Sequence, residues 1–111
     1  MVLVTVVVDG NGMMRRATAA GHALGLQKGG NIVCAAVTIL LRTAARLLEG
    51  KNGVDVSGGP GARGEFSLTI ESVDQDRVEF VKTTGDYLLR GIRDLQAEFP
   101  GECTLQVTER R

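Results

Sequence analysis

The chain has 111 residues, with 13 lysines and arginines against 13 aspartates and glutamates, 43% apolar residues and 4% aromatics. A chain this short builds one modest core, so residues 1–111 read as a single domain. Zero net charge argues against a sequence-independent nucleic-acid binder, which needs a basic excess facing the phosphates, and no direct nucleic-acid contact is expected. The longest nearly apolar run, Ile32–Leu41, is half of the about 20 residues that a membrane-spanning helix needs. Met1–Val8 has neither the basic region nor the cleavage site of a secretory signal, so a cytoplasmic protein is expected. Two cysteines and one histidine make neither a disulfide framework nor a four-ligand zinc site unaided, and reduced thiols with no metal are expected.

In chain order, Val2–Val8 is dense in β-branched residues and runs into Asp9-Gly10-Asn11-Gly12, a hairpin turn, followed by a second strand from Met13 to Ala20. Gly21, Gly25, Gly29 and Gly30 then punctuate a stretch without periodicity, read as a loop. From Asn31, Val33, Val37, Leu40, Leu41, Ala44, Leu47 and Leu48 recur at three- and four-residue steps, while Arg42, Arg46 and Glu49 fall on the other side. This predicts a helix ending at Gly50. Residues 50–64 form a glycine-rich connection with a short strand at Val54–Ser57. Glu65–Val73 alternates as a strand with Phe66, Leu68, Ile70 and Val73 inward, Val73 breaking the strict alternation at the strand's end. A second helix is expected over Gln75–Phe99, capped by Asp74 and stopped by Pro100 and Gly101, with Gly85 a point of weakness. Thr104–Thr108 closes the chain as a strand. The order β-β-α-(β)-β-α-β gives an α+β two-layer sandwich, a mostly antiparallel or mixed sheet of four to five strands with both helices on one face.

The chemistry concentrates between residues 21 and 38. With Asn31 as N-cap, Cys34 sits in the first helical turn, where free backbone N–H groups and the positive end of the dipole stabilise a thiolate. His22 ends the second strand across the glycine loop and can hold the thiolate as an ion pair, then protonate a leaving group. Asn31 or Thr38 is a candidate for orienting the imidazole, and the amides of Cys34 and Ala35 are candidate oxyanion donors. Gly21, Gly25, Gly29 and Gly30 are candidate substrate-loop positions, on a segment expected to order over a bound peptide. A cysteine on an apolar helix is also commonly a small buried hydrophobe. Residue types alone leave both readings open. Ser57–Gly64 (SGGPGARG) lacks the Gly-Lys-Ser/Thr ending of a phosphate loop, and Cys103 reads as a structural thiol.

The strings Gly21-His22-Ala23 and Asn31-Ile32-Val33-Cys34-Ala35-Ala36-Val37-Thr38 resemble the signature of the ribosomal-processing cysteine protease family Prp, where GHA precedes a D-x-V-C-A-A-V-S segment. The resemblance implies a small α/β fold, a homodimer, and a cofactor-free Cys-His endopeptidase that removes the N-terminal extension of large-subunit ribosomal protein twenty-seven. Residue by residue, Cys34 matches the nucleophile and His22 the general base. Asn31 stands where the family has an acid and Thr38 where it has a serine, so Asn31 supplies no charge to an imidazolium. The competing expectation is a non-enzymatic ribosome-associated binding module in which Cys34 is a packing or redox-sensing thiol.

Overall fold

The computed structural model describes residues 1–21, 28–61 and 65–110, with residues 28–31 described by backbone only. Five strands and two helices follow in the order β1 (Val2–Val8), β2 (Met14–Ala20), α1 (Lys28–Glu49), β3 (Val54–Pro60), β4 (Phe66–Val73), α2 (Val78–Glu98) and β5 (Cys103–Glu109). The sheet order is β3-β4-β2-β1-β5. Neighbours are antiparallel except β1 and β5, which run parallel, so the sheet is mixed, in agreement with the expected α+β sandwich.

The β1–β2 hairpin forms where expected because Asp9 organises the turn. Its Oδ1 accepts from the N–H groups of Asn11 (2.9 Å) and Met13 (3.0 Å). The strands do not alternate strictly. Val7 pairs with Arg16 and Val8 with Met14, so Arg15 is passed over in a bulge. The extra residue lets Met14 and Ala17 both face the core, and Met13, just before β2, is buried as well.

Inward residues of four strands, Val2, Val4, Val6, Ala17, Ala19, Phe66, Leu68, Ile70 and Cys103, meet Val33, Val37, Leu41 and Leu48 of α1 and Val81, Leu88 and Ile92 of α2 in one core. α1 packs over β3 and β4 and α2 over β5. The other face of the sheet carries Thr5, Thr18 and Ser67 in one cross-strand row. This is the half-covered arrangement common in antiparallel sheets.

Several boundaries differ from expectation for identifiable reasons. β3 extends to Pro60 because it pairs with β4 through both glycines, from Val54↔Val73 to Pro60↔Phe66. Gln75–Arg77 is a 3₁₀ turn, and α2 begins at Val78. Asp74 makes no side-chain cap; its own N–H donates to the Gly53 carbonyl (2.7 Å), and its carbonyl accepts from Arg77 N–H (2.9 Å). Leu47 is half exposed, not core, since the α1 stripe that meets the sheet is narrower than the run of apolar residues. Gly85 lies in an unbroken helix, buried against β2. A Cβ there would stand 3.0 Å from Met14 Cβ, so the glycine permits close helix–sheet approach.

Two substitutions check this packing by urea unfolding. Leu41→Ala, at a fully buried position, is expected to lower stability by about 2–5 kcal/mol. Gly85→Leu is expected to lower it by about 1–3 kcal/mol or more through overpacking against Met14.

Candidate active site

α1 carries the site, and it starts at Lys28, three residues before Asn31. Gly29 and Gly30, expected in a loop, therefore lie in the first helical turn, and Asn31 is not the N-cap. The unsatisfied amides of a helix are its first four. Those end at Gly30, whereas the amides of Cys34 and Ala35 fall within the i→i−4 ladder instead of facing a would-be oxyanion. The dipole, too, acts mainly on the first turn.

Cys34 is half-buried and packs against the core from the rim of the helix. One turn on, the Thr38 hydroxyl donates to the Cys34 carbonyl (2.8 Å), an i→i−4 back-bond that pins the backbone under the thiol. That proton is committed to the carbonyl, so Thr38 can present only an acceptor lone pair to an imidazole. His22 and Gly25 lie outside the described residues, as do the side chains of Lys28 and Asn31. Gly21 ends β2 with φ 73°, directly before His22 in the sequence.

Helical geometry sorts the remaining α1 residues around Cys34. Steps of four place Thr38 and Arg42 on the Cys34 flank, and Ala45, Arg46 and Glu49 fall in the same sector. This flank looks toward β3, where Arg42, Arg46 and Glu49 border a cavity of about 380 Å³ with Gly58 and Gly59. The opposite flank looks toward α2 and borders an apolar groove of about 440 Å³ with Ile39, Leu40, Leu47, Phe80 and Tyr87. The basic flank was legible as an arginine pair off the apolar stripe, but its relation to Cys34 needed the helix rotation. Among the described residues no cluster of His, Cys, Asp and Glu could hold a metal ion, and no helix is long and apolar enough to cross a membrane.

Residues 1–104 match the family described as cysteine protease Prp. The chain belongs to the Prp family of cysteine proteases. No curated protein matches the sequence. Among solved structures, SMU.848 from Streptococcus mutans is 24% identical, with 99% of each chain covered and a TM-score of 0.82. The essential ribosomal processing protease Prp from S. aureus, in complex with a substrate peptide, is 16% identical over 97% of this chain and 100% of that one, with a TM-score of 0.81. The same S. aureus protease with a covalently linked product peptide is 18% identical over the same shares, with a TM-score of 0.79. These Prp structures share the mixed five-stranded fold, and the chain is a cysteine protease.

The second cysteine is chemically distinct. Burial beneath α2 pushes the Cys103 thiol above its ordinary value by desolvating the thiolate. A folded-state value raised above the unfolded one gives stability that is present below the unfolded pKa and lost as pH rises through the folded value. Stability is therefore expected to fall above about pH 8.5 more steeply in the wild type than in Cys103→Ala. Paired denaturant titrations between pH 7 and 10 check the difference.

Proposed function

We propose that the chain is a Cys-His endopeptidase that trims the N-terminal extension of large-subunit ribosomal protein twenty-seven in the cytoplasm. The observation that carries this reading is the family match over residues 1–104, which contains Gly21-His22-Ala23 and the Cys34 segment. The Cys34 sulfur attacks the scissile carbonyl, His22 takes the thiol proton and returns it to the leaving amine, and water resolves the thioester. With the helix starting at Lys28, Cys34 lies beyond the turn where the dipole acts, so activation of the thiol falls to His22. Asn31 offers hydrogen bonding without charge.

The test is cleavage of a peptide spanning the extension, followed by mass spectrometry. Cys34→Ala and His22→Ala are each expected to reduce turnover by about 10³-fold or more, since members of a nucleophile–base unit fail together. Cleavage by Cys34→Ala at the wild-type rate would overturn Cys34 as the nucleophile, whereas binding without cleavage by both proteins would favour the binding-module reading.

The protease works as a homodimer in this reading, and the outer α1–α2 face supports it. Ile39 (56% exposed), Leu47 (51%) and Tyr87 (76%) are large apolar side chains of that groove open to solvent. Exposed patches of this kind mark association sites. Leu47→Glu with Tyr87→Glu is expected to convert a dimer into a monomer in sedimentation equilibrium. An unchanged mass would place the interface elsewhere.

A further inference from the structure

The glycine-rich run that fails as a phosphate loop occupies the outer edge of the sheet. β3 is the terminal strand: β4 pairs along one side, and among the described residues no backbone hydrogen bond is made along the other beyond the turn at Val54. Natural edges are usually blunted by charged side chains or by cover. Here Gly58 (φ 116°) and Gly59 (φ 132°) present none. Pairing with β4 explains Gly58, because a Cβ there would overlap the Ser67 backbone. Among the described residues nothing lies within 4 Å of the Gly59 Cβ position, so no side chain packs on the strand there.

That opening faces the Cys34 flank of α1 across the cavity bordered by Arg42, Arg46, Glu49 and Phe66. β3 leaves the short turn after α1 and runs back beside it. At about 3.3 Å per strand residue Pro60 is ~20 Å beyond Val54, and at 1.5 Å per helical residue Cys34 is ~22 Å before Glu49. The open end of β3 lies beside Arg42 to Glu49, and Arg42 is about 12 Å along the helix from Cys34, a span of about four extended residues. Arg42 and Arg46 have no ion-pair partner among the described residues, and Glu49 offsets only one of the two charges. The other sheet edge, β5, has side chains along its whole length and sits beneath α2, on the far side of β1.

We infer that the outer edge of β3, with Arg42 and Arg46, is a peptide subsite, where an extended segment adds as a sixth strand and sets an acceptor-bearing side chain (Asp, Glu, Asn or Gln) against the guanidiniums. This rests on the reading of Cys34 as the nucleophile to which that segment is delivered. Main-chain pairing supplies the hold on an extended chain, and the arginines fix its register. Gly59, bare of side chain near the open edge, is where a foreign backbone comes closest.

The experiment uses Cys34→Ala protein, the full chain, and the N-terminal extension peptide as probe. Amide hydrogen exchange is expected to slow at least about tenfold at Val56 to Gly59 on peptide addition, as it does when an edge amide gains a strand partner. In the active enzyme, Arg42→Gln with Arg46→Gln is expected to raise KM about tenfold and leave kcat within about twofold, the loss of one charged hydrogen bond made equally in ground and transition states. Peptides N-methylated at successive backbone nitrogens are expected to lose binding at alternate positions. Cleavage with unchanged exchange at β3, protection at β5 or in the α1–α2 groove instead, or an unaltered KM in the double variant overturns the subsite and leaves the protease reading standing. Absence of cleavage by wild type overturns the reading of that extension as the substrate. Protection at β3 in the Cys34→Ala protein would then still support the subsite.

Discussion

The contact of Val33, Val37, Leu41 and Leu48 with the sheet sets the rotation of α1, and every chemical feature of the molecule depends on that rotation. Each of these side chains is almost wholly removed from water, worth roughly 1.5–3 kcal/mol apiece. Turning the helix by one residue would expose several of them together. Cys34 follows Val33 directly and so stands about 100° around the axis from it. Thus the thiol sits at the rim, neither sealed in the core nor displayed at the crest with Ile32 and Ile39. The same rotation gives the helix two unlike flanks, a basic one beside the open sheet edge and an apolar one beside α2.

Small residues then decide how near the second helix comes. Gly85 lets α2 settle onto Met14, and a Cβ at Gly91 would lie 3.0 Å from the Leu40 methyls, so α2 is drawn close to both the sheet and α1. Close approach covers Cys103 on β5 while leaving Leu47 and Tyr87 outside. The contrast between the thiols follows from this geometry. Cys103 is sealed among apolar side chains that disfavour its thiolate, which suits a packing role, whereas Cys34 remains at a partly exposed boundary.

Periodicity made most of the architecture legible. Alternation in Val2–Val8 and Phe66–Ile70 and the three-four spacing from Val33 to Leu48 carry the element order and the inward faces, because burial on one face imposes those periods directly. Features that depend on a partner strand were not legible. The bulge at Arg15 is fixed by pairing with Val7 and Val8, and the continuation of β3 through Ser57-Gly58-Gly59-Pro60 is fixed by β4, against the local preference of those residues for a turn. Leu47 was misassigned because sequence spacing does not reveal how wide a stripe the sheet can cover. At the site, the residue pair Cys34 and His22 came from the motif, and the cavity beside Arg42 and Arg46 needed the fold.

The early start of α1 bears on how such a site would work. Glycine in a helix is disfavoured by about 1 kcal/mol relative to alanine, and the first turn of α1 contains Gly29 and Gly30. Unwinding those residues would bring Asn31 to the cap position that its side chain favours, offsetting part of the lost hydrogen bonding. The amide of Cys34 would then join the free donors at the helix start, within reach of the dipole. The arrangement read from the sequence and the one in the structure thus differ by a single helical turn. With that turn unwound Cys34 has free backbone donors beside it, and with it formed those amides are engaged in the helix.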